Sequence, residues 1–464
     1  MFSSARTALT AHGFPLVAGF ALMLAWSYAP LLGGEPFYVG HHLGFSACAL
    51  LLALVRPMRT AVDRRAWISW AAAALCAASG MCACLLHTSS ALRAAVGCAG
   101  GVGSCILLAR WFMAYCYDSV KISVVRVLFA FLGCALLRIG LLAARHLNPG
   151  ACAVLLALLP CASLIILMHV ELPTHKKSWA SGTAGGTLQP SREIPRFFAA
   201  GDARFLVFEI AVFGLAMGIT RTNFSHWSLT GSVGIVSQLL QVCIPLVLYW
   251  WFVVRTHQGS QEPLVRSLIV GAAIGMLGLF AFGGLIQYAL SSLSLCASTL
   301  VLILMYIRML DAVARSGTHP FVALGLVRGS LELAIVGGVG IFQIVSHLLD
   351  IELLPLDLAT FAVGAMLILL VNSYSLRSTW EFLDEPRAQG STDLDARCMQ
   401  LTEIYKLNEA EAAVMRYLCL GRSKKYIAAE LSMSEDSVRY HAKQLYRKLD
   451  IHSREELMTV AGVE

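Results

Sequence analysis

Arg439, Tyr440 and Lys443 sit at i, i+1 and i+4, a spacing that gathers them on one side of a helix. A guanidinium or ammonium on such a face can pair with guanine O6 and N7 in a major groove. Around them, the stretch from Arg422 to Lys448 carries Arg422, Lys424, Lys425, Arg439, Lys443, Arg447 and Lys448 against Glu430, Glu435 and Asp436. Acidic residues elsewhere in the tail cancel this excess, so the segment is basic on one side only. Lysines and arginines grouped this way neutralise phosphates. The bland alternative is a solvated charged helix in an unrelated bundle.

A second set of chemically able side chains lies in apolar surroundings. Arg328 and Glu332 are one helical turn apart and can pair on one face. Arg138, Glu209, Gln238 and Gln241 also fall inside apolar runs. Ionisable groups in lipid are costly and face a cavity or a partner. These six are expected to converge on one cavity and contact a small-molecule ligand, with inter-helix bonding the alternative for each. Arg110 and Arg126, nearer span ends, are expected to snorkel.

The first set needs a small helical scaffold, and Leu407 to Leu457 supplies it. Asn408 with Glu411 makes a capping box for a helix over about 409–420, and Gly421 stands at its end. Ser423 opens a short second helix ending near Leu431. Ser432, Met433 and Ser434 make a turn, and Ser434 caps a third helix reaching about Leu449. Ser453 with Glu456 opens a fourth. Val414, Leu418, Ile427, Leu431, Val438, Leu445, Leu449 and Leu457 recur at helical spacing and form one small core. The geometry is helix-turn-helix.

The run GRSKKYIAAELSMSEDSVRYHAKQLYRKLDIHSREEL resembles the DNA-binding domain of LuxR-type response regulators over about the last 60 residues. The resemblance implies that Arg439, Tyr440 and Lys443 read bases while Lys425, Ser437 and His441 contact phosphates. Lys424 and Lys448 are added to the DNA-facing set from their charge. Ser437 replaces the family's usual Thr, and Tyr440 and Ala442 flank His441 where smaller or apolar residues are commoner. The family binds as dimers on paired half-sites, so a homodimer on DNA is implied, with the fourth helix in the dimer contact.

The second set needs a membrane. With 58% hydrophobic and 14% charged residues and a mean hydropathy of +0.70, the first 375 or so residues cannot form a soluble domain. A span takes about 20 mostly apolar residues, and twelve are expected: 14–32, 37–55, 67–86, 94–116, 122–143, 150–170, 205–222, 228–254, 265–287, 289–309, 321–348 and 356–374. The first is expected to be retained as a membrane helix rather than cleaved. Halves 14–170 and 205–374 flank a linker over 171–204, and 375–400 joins the membrane domain (1–374) to the tail domain (401–464).

This six-plus-six plan resembles the major facilitator superfamily of transporters. The loop RPMRTAVDRRAW puts Asp63, Arg64 and Arg65 where that superfamily has a Gly-rich Asp-Arg loop, but its glycines are missing. Basic residues concentrate in the loops that face inside if the N-terminus does: Arg56, Arg59, Arg64, Arg65, Lys176, Lys177, Arg192, Arg196, Arg204, Arg255, Arg266, Arg308, Arg315 and Arg377 are among them. That asymmetry predicts cytoplasmic N- and C-termini on a multi-pass protein of the cell membrane.

The 14 cysteines form no CxxC or zinc pattern and are read as packing residues, with redox sensing the alternative. No nucleophile triad, nucleotide-binding loop or kinase signature is present, so neither enzymatic activity nor a cofactor or metal is expected. The fold expected is all-α, twelve transmembrane helices followed by a four-helix LuxR-type domain. Its function follows as a one-component regulator in the bilayer that senses a small molecule and binds operator DNA; the alternative is a transporter with an appended regulatory domain.

Overall fold

A computed structural model of the chain describes residues 13–27, 29–85, 89–118, 120–171, 190–199, 203–227, 231–250 and 285–349, and in the tail 398, 400–419, 427–428, 431, 433–451, 453, 456–457 and 460. The expected spans 265–287 and 356–374, most of both linkers, and Gly421 to Lys425 fall largely or wholly outside the described residues. The chain divides into two compact units, Met1–Thr379 and Trp380–Glu464.

Every regular element described in the first unit is helical: α1 (Gly13–Trp26), α2 (Ala29–Leu32), α3 (Gly34–Leu54), α4 (Arg56–Arg64), α5 (Ala66–Leu85), α6 (Ser90–Cys116), α7 (Val120–Leu147), α8 (Pro149–Glu171), α9 (Pro190–Ala199), α10 (Ala203–Trp227), α11 (Gly231–Tyr249), α12 (Leu285–Ser316) and α13 (Pro320–Leu349). Among the described residues, seven segments are long and apolar enough to cross a bilayer: Gly13–Leu32, Gly34–Leu54, Ala66–Leu85, Ser90–Cys116, Ile122–Leu147, Pro149–Val170 and Pro320–Ile344. The protein is a multi-pass membrane protein. Helices α10 and α12, of 25 and 32 residues, are also long enough, and their Glu209 and Arg308 pair with each other.

The contacts repeat along the chain. Helix α1 packs on α7, and six expected spans later α10 packs on α13; α3 packs on α6, and α11 on α12. In addition, α3 meets α13 while α11 meets α7. Shifting one set by six expected spans gives the other.

Small residues bring these helices together. A Cβ added at Gly40 would lie 2.1 Å from the Ala94 carbonyl oxygen, at Gly44 2.1 Å from that of Cys98, and at Gly101 2.1 Å from that of His41. Backbone sits on backbone there, so no side chain can give way. Gly44→Leu is expected to separate α3 from α6 at a cost of roughly 1–3 kcal/mol, read as a lower unfolding temperature of the protein in detergent.

Two segments expected as loop are short amphipathic helices, α4 and α9. Proline at its start, with φ already helical, favours α4. Arg59 on α4 is buried and pairs with Glu193 on α9. Arg110 does not snorkel: it is buried, and its Nη1 donates to the carbonyls of Val62 and Asp63 at 2.9 and 2.8 Å, capping the end of α4. Arg126 is held by Asp118. Arg308, expected among the inner-loop charges, is instead engaged between helices. Each nearby acceptor is cheaper for a guanidinium than reaching for water.

The tail unit contains α14 (Glu409–Cys419) and α15 (Glu435–Leu449). The Asn408 backbone N–H donates to Glu411 Oε2 at 2.9 Å and Glu411 N–H donates to Asn408 Oδ1 at 2.8 Å, a complete capping box. Ser434 Oγ accepts from Ser437 N–H at 3.1 Å, and Ser453 Oγ from Glu456 N–H at 3.1 Å. Val414, Leu418, Ile427, Val438, Leu445, Leu449 and Leu457 are buried together with Leu431 packed against them, and Cys398 and Leu401 extend this core upstream. Helix α15 ends at Asp450, a non-glycine in the left-handed region at φ 56. Asp450→Gly is expected to slow hydrogen exchange in the last turn of α15 in the full-length protein, the strain relieved being up to about 1 kcal/mol.

Candidate functional site

Glu332 is the charged centre of the membrane unit, 1% exposed. One carboxylate oxygen takes Arg328 Nη2 at 2.7 Å from the same face of α13, and the other is bonded to His42 Nδ1 on α3. The Arg328 guanidinium lies over the Phe45 ring, 5.6 Å from its centroid. His41 is buried beside His42, their rings 5.4 Å apart. Three buried polar atoms, His41 Nδ1, Arg328 Nε and the Tyr306 hydroxyl, have no hydrogen-bond partner among the described residues. Tyr306 is set by aromatic neighbours, Phe20 at 5.6 Å edge-on and Phe131 at 5.9 Å.

Three of the other four membrane candidates have a local partner. Glu209 on α10 pairs with Arg308 on α12. Gln241 on α11 accepts from Thr299 on α12 at 3.0 Å. Gln238, one turn away, is buried with its Oε1 unpartnered among the described residues. Arg138 on α7 donates to Ser27 Oγ at 3.2 Å. The sequence singled out Arg328 and Glu332 because they are four apart on one helix. It missed His41, His42 and Tyr306; two adjacent histidines inside an apolar run were the available signal.

In the tail, α15 has two unlike faces. Val438, Ala442, Leu445 and Leu449 are buried, while Asp436, Arg439, Tyr440, Lys443 and Arg447 form an exposed stripe. Tyr440 is 60% exposed, too open for a core ring, and stands edge-on to His441 at 5.5 Å. Arg439 reaches Asp436 at 3.4 Å and Glu435 at 3.8 Å. Exposed pairs of this kind are worth well under about 1 kcal/mol, so the guanidinium is free to exchange them for another acceptor. Ser437 and His441 are half-buried on the flank of the stripe, and His441 Nδ1 is unpartnered among the described residues. Lys424 and Lys425 lie outside the described residues.

Lys448 does something else. Its Nζ donates to Glu411 Oε2 at 2.6 Å and to the Lys406 carbonyl at 3.2 Å, tying the end of α15 to the start of α14. Charge alone assigned Lys448 to the outer surface; the register of α15 turns it inward. Burial alone would raise the Glu411 carboxyl, but the Lys448 ammonium and the Asn408 N–H outweigh it and hold the group below its usual range. That contribution is complete above the ordinary glutamate value of about 4.3 and is lost as pH falls further through the folded value. Glu411→Ala is expected to destabilise the tail by about 1–2 kcal/mol at neutral pH. The difference from the parent should shrink on acidification, measured by proteolysis of the tail across a urea series.

The profile for bacterial regulatory proteins of the luxR family (GerE) matches residues 406–461, the span of this capped, one-core unit. The tail is a LuxR-type helix-turn-helix domain. A nitrate/nitrite response regulator protein homolog from Haemophilus influenzae is 46% identical to the chain over 48 residues, which are 10% of this chain and 23% of that protein. The chain therefore spans about a quarter of that relative's length. The solved structures similar in shape include the human organic anion transporter MFSD10 (TETRAN), at TM-score 0.48 and 17% identity over 77% of this chain and 97% of that one. Another is the fucose:proton symporter of E. coli, at 0.48 and 12% over 80% and 99%. Within the LuxR-type domain, α15 is the helix carrying the exposed Arg439, Tyr440 and Lys443.

Proposed function

We propose that the chain is a membrane-embedded one-component transcriptional regulator. Its LuxR-type domain binds double-stranded operator DNA, and its membrane part senses a small molecule. The observation that carries this is the exposed cationic stripe of α15 on a LuxR-type domain that shares its chain with bilayer-spanning helices. Arg439, Tyr440 and Lys443 read base edges, and Ser437, His441, Lys424 and Lys425 contact phosphates. Lys448 positions α15 through Glu411 instead of touching DNA. The tails act as a homodimer on paired half-sites, and both termini are cytoplasmic.

The membrane part is a twelve-helix, major-facilitator-like domain of two halves, a reading supported by the contacts that repeat at a six-span offset. Ligand binds around Arg328, Glu332 and the unpartnered polar atoms beside them, with Arg138, Glu209, Gln238 and Gln241 on neighbouring helices. To move the tails it must bind two arrangements of the helices with different affinity. The test is to incubate the full-length protein in nanodiscs with sheared DNA from its own source. Discrete fragments retained, and released steeply as salt rises, support regulation. Uniform or absent retention rejects it. The buried Arg328, Glu332 and His42 centre also suits a transporter with a regulatory tail, which solute uptake by the same protein in sealed vesicles would identify.

A further inference from the structure

The contact between α5 and α8 carries a second chemistry. One side of α5 presents Cys76, Gly80 and Cys84 at every fourth residue. Helix α8 answers in antiparallel register: Cys161 lies near Cys76, Leu156 lies against Gly80 with a Cβ there 3.3 Å from its own, and Cys152 meets Cys84. The Cys84 and Cys152 side chains lie against each other, the pairing that the Gly80–Leu156 register predicts one turn on. Both are reduced. The absence of a side chain at Gly80 draws the helices together one turn away, which brings the two sulfurs within reach.

These thiols sit at the helix ends, Cys84 in the last turn of α5 and Cys152 in the first turn of α8. Arg145, in the last turn of α7, puts a guanidinium beside both, and its Nη1 is buried without a hydrogen-bond partner among the described residues. A cation next to a partly accessible thiol is the setting in which thiol exchange runs. Access is unequal: Cys84 is half-exposed while Cys152 is fully buried.

We propose that Cys84 and Cys152 are a redox modification site, a dithiol that an extracytoplasmic disulfide oxidises to an intramolecular disulfide joining α5 to α8. The Cys84 thiolate attacks one sulfur of the oxidant, breaking its S–S bond, releasing one thiolate and leaving a mixed disulfide on Cys84. The Cys152 thiolate attacks the Cys84 sulfur, forming the Cys84–Cys152 bond and releasing the second thiolate. Two electrons pass from the cysteine pair to the oxidant, and the two protons leave with its thiolates. The outward placement of the site rests on the topology proposed above; the dithiol chemistry does not.

The test treats spheroplasts expressing the full-length protein with oxidised glutathione, which does not cross the membrane, or with diamide, which does. Free thiols are then alkylated and the peptides mapped by mass spectrometry. The expected result is a Cys84–Cys152 cross-linked peptide under both oxidants, loss of alkylation at both residues, and its recovery with dithiothreitol while Cys76 stays alkylated. In Cys152→Ser, Cys84 should accumulate as the glutathione mixed disulfide, because its resolving thiol is gone. Cross-linking by diamide alone keeps the dithiol and overturns its outward placement. No cross-link under either oxidant, or a stable mixed disulfide on Cys84 with Cys152 intact, overturns the proposal.

Discussion

Arg328→Gln is expected to destabilise the membrane unit by about 3–5 kcal/mol, seen as a marked fall in the unfolding temperature of the detergent-solubilised protein. The magnitude follows from what is left behind. Glu332, at 1% exposure, loses the Arg328 Nη2 bond at 2.7 Å, and one bond from His42 cannot solvate a carboxylate in that position. Neutralising the orphaned group is therefore expected to restore stability, so Arg328→Met with Glu332→Leu should unfold closer to the parent than Arg328→Gln does. Apolar replacement of a whole buried pair is often neutral, whereas removal of one member is not. A double variant no better than the single one would mean that the pair's hydrogen bonds to α3, not its charge balance, set the stability.

The second large effect concerns DNA. Arg439→Ala with Lys443→Ala is expected to weaken binding by roughly 2–6 kcal/mol, at about 1–3 kcal/mol for each base-reading side chain. Both side chains are exposed on α15, opposite Val438, Ala442 and Leu445 in the core, so their loss should leave the LuxR-type domain folded. Lys448→Ala tests the other assignment. Because Lys448 is bonded to Glu411 and the Lys406 carbonyl, its loss should lower the stability of the tail and leave the salt dependence of DNA binding unchanged. A phosphate contact would instead show as a shallower salt slope.

Some of this molecule could be read directly from its residues, and the reason is locality. The first six spans and the eleventh are long apolar runs. The capping boxes at Asn408 and Ser453 and the cap at Ser434 are short patterns with a single physical meaning. Arg328 and Glu332 were legible because a helix makes neighbours of residues four apart. What escaped depends on distant parts of the chain. His42 meets Glu332 across 290 positions, and Arg59 finds Glu193 across 134. Composition does not encode such pairings. Helix α4 escaped for another reason: its charged residues read as loop, although its one buried face needed only Arg59 and Val62. The inward turn of Lys448 escaped because charge does not record the angle at which a side chain leaves a helix.

Whether the bilayer-bound chain occupies specific DNA sites is tested most directly by chromatin immunoprecipitation of the full-length protein in its native cell, with sequencing. Discrete peaks are expected, and they should vanish in the Arg439→Ala, Lys443→Ala variant while the protein remains in the membrane fraction. No peaks under any growth condition, or peaks unchanged in that variant, would contradict such occupancy.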